Sequence, residues 1–235
     1  MQQYFIDQHL ALNEQVKLNK DIQFHLKNVL KSKPHTTIRL VDFHGNGFFA
    51  QVDQNIENAL LTKPITKKSD IATDITLIMS LIKKEKLELV IAKATELGVS
   101  KIILLHASRC VVSFSKKDME KKLLRFATIA QEAAETSHRL TLPKIIGPLT
   151  IPQLKDIHSD HKILLYENTD QSVQLPKMKH QQSVSVIVGP EGGFTQEEVA
   201  HFELLGFQQA SLTHRVLRSE TAAMMAMTLL GGYYD

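Results

Sequence analysis

Residues 184–194 read Val-Ser-Val-Ile-Val-Gly-Pro-Glu-Gly-Gly-Phe, and that run limits the folds open to the chain more than any other stretch. Val184, Val186, Ile187 and Val188 are β-branched and apolar over a short span, the mark of a strand buried on both faces. Gly189 and Pro190 stop it, because proline lacks the amide a ladder needs and fixes its own φ. Thr195 and Glu198 then stand at Thr-x-x-Glu spacing, in which each side chain satisfies the other's free amide, so a helix should begin there. Strand, glycine loop and helix N-terminus in succession bring backbone amides to the carboxyl end of a parallel strand, where α/β proteins bind ligands. A tight βα turn with nothing bound fits the same local signal, so other residues have to decide.

From residue 74 onward the chain alternates apolar strands with amphipathic helices. Strands are expected at 75–82, 101–105, 163–166, 184–188 and 209–213. Leu87, Val90, Ile91, Ala94 and Leu97 recur at helical spacing ahead of Gly98. Ser115 and Asp118 cap a long helix on which Met119, Leu123, Phe126, Ala127, Ala130 and Ala134 form a stripe. A helix over 195–205 is closed by Gly206, and Ser219 caps a last helix that runs to Leu230. Such alternation predicts a mostly parallel sheet covered by helices on both faces.

The region before residue 70 reads differently. Residues 36–43 and 48–52 form a hairpin through His44-Gly45-Asn46-Gly47, whose glycines and asparagine supply positive φ angles. A short helix is expected over 21–30, capped by Asp21, with Ile22, Leu26, Val29 and Leu30 on one face. The composition shift around Pro64 and the two lysines after it predicts a boundary, giving domains 1–69 and 70–235.

Several function classes fall away. No Walker A loop, no Gly-x-Gly-x-x-Gly after a strand and no Gly-x-Ser-x-Gly elbow occur, and His158 and His161 lack a third metal ligand. Cys110 is the single cysteine, so no internal disulfide can form, a reducing compartment is expected, and Cys110 itself reads as a small apolar residue. No secretory leader and no run of 18 uncharged apolar residues is present, so a cytoplasmic protein without a membrane span is expected. The formal net charge of +3 decides little. Local charge says more: Lys116, Lys117, Lys121, Lys122 and Arg125 crowd eleven residues, with Arg109 before them and His138 and Arg139 after. Such a strip can neutralise phosphates or be a solvated helix face.

Residues 212–222, Leu-Thr-His-Arg-Val-Leu-Arg-Ser-Glu-Thr-Ala, follow the last strand and enter the last helix. Arg215 and Arg218 stand beside the positive end of that helix, which is costly unless something anionic or functional holds them. Glu220 complements the dipole, and Met224, Met225 and Met227 read as adaptable core.

At this point the motifs become specific. The Gly-Pro-Glu-Gly-Gly-Phe of 189–194 and the Arg-Val-Leu-Arg-Ser-Glu-Thr-Ala of 215–222 join Lys-Ala-Thr-Glu-Leu-Gly-Val at 93–99 and Glu-Ala-Ala-Glu-Thr-Ser-His-Arg at 132–139. In that order the four blocks resemble the RsmE family, bacterial 16S ribosomal RNA uridine-N3 methyltransferases of the SPOUT class. The resemblance implies an α/β fold: a C-terminal SPOUT methyltransferase domain with a trefoil knot and mostly parallel sheet, plus a small N-terminal PUA-like β-barrel that binds RNA. It also implies a homodimer, 16S rRNA of the 30S subunit as partner, S-adenosylmethionine as methyl donor, and no metal.

Transferred residue by residue, the family's cofactor pocket falls on Gly189, Pro190, Glu191, Gly192 and Gly193, on Leu165, Tyr166 and Glu167, and on Leu212, Val216, Leu217, Arg218, Thr221 and Ala222. Arg218 is the expected catalytic group, holding the uridine anion, with Glu191 or Glu220 as proton acceptor. Arg109, Lys116, Lys117, Lys121, Lys122, Arg125, His138, Arg139 and Arg215 are expected to meet RNA phosphates. The chain departs from the family where Gln2-Gln3-Tyr4-Phe5 and Asn28-Val-Leu-Lys31 replace arginine-bearing stretches, and where Thr213-His214 replaces a glycine. Three other readings stay open: an RNA-binding protein with a degenerate pocket, a SPOUT enzyme acting on another RNA, and a glycine-loop nucleotide enzyme.

Overall fold

The computed structural model describes residues 1–66, 73–167, 173–175 and 182–231, without the side chains of Lys116, Val173 and Gln174. The domain boundary expected at 69/70 falls outside the described residues. The chain divides into two compact units, Met1–Asp70 with Ala134–Thr141, and Ile71–Ala133 with Leu142–Asp235. Nothing in the sequence pattern signals that 134–141 group with the first unit.

In the first unit, β1 (Gln3–Phe5), β2 (Gln15–Lys17), β3 (Thr37–Val41), β4 (Gly47–Val52) and β5 (Asn58–Pro64) make one sheet in the order β1-β3-β4-β5-β2. Only β1 and β3 run parallel. Tyr4, Val16, Ile38, Leu40, Ala50, Val52 and Leu61 pack with Ile22 and Leu26 into its core. The β3–β4 hairpin forms where expected, with Gly45 at φ +82°. Helix α1 (Lys20–Phe24) starts two residues earlier than expected: Asn19, not Asp21, is the cap, its side chain accepting from the Ile22 amide at 2.8 Å. The helix continues as a wider turn over His25–Val29, which leaves Val29 59% and Leu30 43% exposed. The extra residue per turn rotates both out of the apolar stripe.

Asp42 organises the hairpin. One carboxylate oxygen accepts from the amides of His44 and Asn46, both at 2.8 Å, and the other accepts from the Asn46 side chain at 2.9 Å. Burial pushes its carboxyl up, but these donors outweigh burial and hold it below the usual carboxylate range. The stabilisation is therefore present above the unfolded pKa of about 3.9 and lost as pH falls through the lower folded value. Asp42→Ala is expected to cost about 1 kcal/mol at pH 7, with the difference from wild type shrinking below about pH 4 in urea titrations.

The second unit holds β6 (Asp74–Ser80), α2 (Lys84–Glu96), β7 (Lys101–Leu105), α3 (Lys116–Thr136), β8 (Lys144–Leu149), β9 (His161–Leu165), β10 (Val173–Gln174), β11 (Ser183–Val188), α4 (Gln196–Leu204), β12 (Gln208–Ser211) and α5 (Ser219–Leu230). All seven strands are parallel, in the order β10-β12-β9-β11-β6-β7-β8. Strand alternation sends Ile75, Leu77, Met79, Ile102, Leu104, Val184 and Val186 to one face, against buried residues of α2, α3 and α5. Ile78, Ile103, Leu105, Leu164 and Ile187 face the other way, against Val199 and Phe202 of α4 and the short helix Ile151–Asp156. Both faces are covered, which is why these strands read as unbroken apolar runs.

Gly98 (φ +92°) and Gly206 (φ +86°) follow α2 and α4 where expected. The Ser115 hydroxyl accepts from the Asp118 amide at 3.2 Å and opens α3. On α3 the expected stripe needs one correction: Ala127 is exposed, while Ile129 and Ala133 are buried with Met119, Phe126, Ala130 and Ala134. On α5, Arg218 occupies the cap position without a side-chain cap, and Ser219 is the first helical residue.

Candidate active site

The carboxyl ends of three neighbouring strands, β12, β9 and β11, open into one cleft of about 360 Å³. Its floor and walls are Leu165, Tyr166 and Glu167 at the end of β9, Val188 at the end of β11 with the loop 189–194, and Ala210 to Thr213 at the end of β12. Arg215, Val216, Leu217, Arg218, Ser219 and Ala222 close it from the side of α5. Strand order explains the place. The chain lays β6, β7 and β8 outward in one direction, then returns to place β9, β11 and β12 on the other side of β6. A crevice at the carboxyl ends beside such a reversal is where open α/β sheets take ligands.

The residues expected in this pocket are therefore brought together, with one exception. Thr221 is exposed and does not line the cleft. It stands in the first turn of α5 two residues after Ser219, where the helical rotation puts it on the side opposite the cleft-lining Ser219. Missing from the expected set were Val188, Phe194, Ala210, Ser211 and Ser219. The continuation of each strand into the wall was the available signal. Thr213 does stand on the wall, with its carbonyl accepting from the Ser211 hydroxyl at 2.9 Å. Its own hydroxyl accepts from the Arg215 amide at 3.4 Å.

The glycine loop has its shape imposed from two sides. Gly193 adopts φ +66°, and a Cβ there would meet the Glu167 carboxylate at 3.4 Å. At Gly192 a Cβ would meet the Arg109 Cβ at 3.2 Å. Arg109, expected to meet RNA, donates through Nη1 to the Gly192 carbonyl at 3.1 Å and the Phe194 carbonyl at 3.3 Å. It props the loop from behind. Below the loop, the Thr195–Glu198 capping box forms as expected, and the other Glu198 oxygen accepts from the Ser108 amide at 2.7 Å. Glu198 thus ties the segment after β7 to the start of α4. Glu198→Ala leaves two amides without their acceptor and is expected to lower the unfolding free energy by about 1–2 kcal/mol, read as a lower urea midpoint at unchanged slope.

Charge in the cleft is uneven. Among the described residues neither Arg215 nor Arg218 is paired with a carboxylate, and both are exposed at the positive end of α5. Two unpaired guanidiniums beside helix amides make a wall suited to an anion. Glu191 lines the cleft, whereas Glu220 does not. Both carboxylates reach Lys86 of α2, at 3.6 Å and 3.4 Å. Cys110 is half-buried, and burial pushes its thiol up, so it offers no thiolate nucleophile.

The other basic residues scatter. Lys117 and Lys121 are exposed along α3, Lys122 lies 4.2 Å from the centre of the Phe114 ring, and Arg125 pairs with Glu88 at 3.7 Å. The Lys116 side chain lies outside the description. His138 and Arg139 belong to the first unit. The His138 ring lies 2.9 Å from the Met1 carbonyl. Arg139 is corrected outright, because at 4% exposure its guanidinium is buried and one nitrogen donates to the Thr141 hydroxyl at 3.3 Å. Gln3 and Arg39 engage one another beside it, at 2.8 Å, so the polar groups there serve the fold. Among the described residues no group of three or more His, Cys, Asp or Glu is placed to hold a metal, and no helix is long and apolar enough to cross a membrane.

Comparison with known proteins agrees with this geometry. A family profile described as RNA methyltransferase domain matches residues 69–231. Ribosomal RNA small subunit methyltransferase E of Rickettsia conorii is 34% identical, over 98% of this chain and 96% of that protein. The protein of the same name from Bacillus subtilis is 27% identical over 98% and 96%. The crystal structure of ribosomal RNA small subunit methyltransferase E from Neisseria gonorrhoeae, bound to S-adenosyl methionine, superposes with a TM-score of 0.87 at 29% identity, over 97% of this chain and 95% of that one.

Proposed function

The chain belongs to the ribosomal RNA small subunit methyltransferase E family, and we propose that it transfers a methyl group from S-adenosylmethionine to N3 of a uridine in 16S rRNA. The observation that carries the reading is the cleft itself, which unites the glycine loop, the end of β9 and the unpaired Arg218. S-adenosylmethionine supplies the methyl group from its sulfonium, and the residues present fit such a molecule. A volume of about 360 Å³ lies within the usual range for ligand sites. The apolar Leu165, Leu212, Leu217 and Ala222 suit an adenine ring, and the side-chain-free Gly192 and Gly193 let backbone polar groups approach it.

The acceptor is an imide nitrogen that carries a proton at neutral pH. Loss of that proton spreads negative charge from N3 onto the flanking base oxygens, and the charge is cancelled as the N–CH3 bond forms and the sulfonium bond breaks. Arg218 is placed to hold that charge, because a planar guanidinium presents two parallel donors and no competing carboxylate occupies it. Of the two carboxylates that line the cleft, Glu167 and Glu191, we assign the proton to Glu191, while Glu220 stays behind the wall. Alignment of donor and acceptor supplies the rest of the acceleration.

The finer assignments belong to the same proposal. The placement of β11 between β6 and β9, after both neighbours have been laid down or bypassed, supports a chain threaded as the trefoil knot of SPOUT enzymes. The five-stranded sheet of the first unit supports a PUA-like RNA-binding role for residues 1–69. Lys116, Lys117, Lys121, Lys122, Arg125, His138 and Arg215, with the exposed Arg109, are the residues we assign to RNA phosphates, while the buried Arg139 serves the fold. The enzyme works as a homodimer on 30S subunits in the cytoplasm. Titration calorimetry tests the premise: the chain should bind S-adenosylmethionine with a micromolar dissociation constant, and absence of heat at millimolar cofactor contradicts it.

A further inference from the structure

Lys86 stands on the first turn of α2, outside the cleft, yet it is the cation shared by two segments that form the cleft. Its Nζ lies 3.6 Å from Glu191 of the glycine loop and 3.4 Å from Glu220 at the start of α5. Among the described residues no other lysine or arginine reaches either carboxylate. The nearby Glu88 has its own partners, Lys84 at 3.9 Å and Arg125 at 3.7 Å, so it does not compete for Lys86. The Glu220 side chain is only 12% exposed, and its second oxygen is buried without a hydrogen-bond partner. That carboxylate therefore depends on Lys86 and on the dipole of α5 for its charge balance. Glu191 gains a further weak tie to α2, where its Oε1 accepts from the Lys83 amide at 3.5 Å.

We infer that Lys86 is a positioning residue that fixes the spacing of the glycine loop and the arginine segment, and so sets the width of the cofactor cleft. The two segments are separate excursions of the chain, 189–194 after β11 and 213–220, which runs from the end of β12 into the first turn of α5. Nothing in the sheet ladder sets the distance between loop tips, because ladder bonds end with the strands. A cation between carboxylates on both tips does set it. Without Lys86 the carboxylates repel, one of them with a buried oxygen, and the tips move apart. The consequence for S-adenosylmethionine rests on the function proposed above, whereas the mechanical link does not.

The test separates the two. Hydrogen–deuterium exchange on the ligand-free protein compares wild type with Lys86→Met, Lys86→Arg and Glu191→Gln, each checked by thermal melting. Lys86→Met should speed exchange of the amides of 189, 191–193 and 216–220 together by roughly tenfold, and Lys86→Arg should restore most of the protection. Unchanged exchange in both segments overturns the inference, whether or not the cofactor binds. Calorimetry then reads function: Lys86→Met should raise the S-adenosylmethionine dissociation constant roughly tenfold, with KM rising more than kcat falls. In hydrogen exchange and in cofactor dissociation constant, readouts that Glu191's proposed role as proton acceptor does not enter, the double variant Lys86→Met with Glu191→Gln should be no worse than Lys86→Met alone, since the lost pair is the same. Additive losses would mean that Lys86 only stabilises α2 and would overturn the positioning role. Should wild type fail to bind while exchange responds as expected, the cofactor reading fails and the link stands.

Discussion

Arg218→Ala lowers methyl transfer by roughly 10²- to 10³-fold while S-adenosylmethionine binding changes little, as is usual when one donor to a developing anion is removed. The reason is local. Arg218 lines the cleft at the cap position of α5 and is exposed, and among the described residues no carboxylate neutralises it. Leaving a guanidinium unpaired beside helix amides costs stability in the resting protein. The same placement is favourable once negative charge appears on the base, so the residue acts in the transition state more than in the ground state. Arg218→Lys should recover only a small part of the rate, because a point charge cannot span both base oxygens. Single-turnover kinetics at saturating cofactor read the effect on chemistry directly. A variant that loses cofactor affinity and keeps its single-turnover rate would reassign Arg218 to the cofactor.

Gly193→Val acts earlier in the cycle and should raise the S-adenosylmethionine dissociation constant by roughly 30- to 100-fold, with the melting temperature lowered by only a few degrees. Two costs add. A β-branched residue at φ +66° is strained by about 2–3 kcal/mol, which the loop avoids by moving. The new side chain also points at the Glu167 carboxylate, 3.4 Å from its Cβ position, on the opposite wall of the cleft. Gly193→Ala, with the same φ penalty and less bulk, should fall between wild type and valine. Equal binding by all three proteins would mean that the loop does not touch the cofactor.

What could be read from the sequence follows from how local the causes are. The run at 184–188, the Thr195–Glu198 box and the stops at Gly98 and Gly206 depend on neighbours within a few residues, and they stand where the pattern puts them. Boundaries shifted where two local solutions compete: Asn19 and Asp21 can both cap, and Asn19 wins because its side chain reaches the Ile22 amide. The wider turn after Phe24 cannot be seen in a 3.6-residue period, so Val29 and Leu30 were assigned to the wrong side. Strand β8 is not among the strands expected from the pattern; Gly147-Pro148 interrupts it, and its pairing with β7 comes from the sheet.

Charged side chains were hardest to place, because their fate is decided by partners far along the chain. Arg109, one of the residues expected at RNA phosphates, also props the glycine loop 83 residues away, and Arg139 is buried. The link from Lys86 to Glu191 and Glu220 is equally invisible in sequence, since it exists only once α2 lies beside both loops. The cleft is legible for the opposite reason. Its walls are the ends of consecutive strands, and motifs at strand ends converge when the sheet is parallel.

Incubation of the wild-type protein with radiolabelled S-adenosylmethionine and 30S subunits, prepared from a strain lacking the corresponding methylation, tests the central claim most directly. The account predicts about one methyl group per subunit, found by nuclease digestion and mass spectrometry as N3-methyluridine at a single 16S site, and strongly reduced labelling with Arg218→Ala. Label absent from 16S rRNA while the protein binds the cofactor, or label on a nucleoside other than uridine, would contradict it.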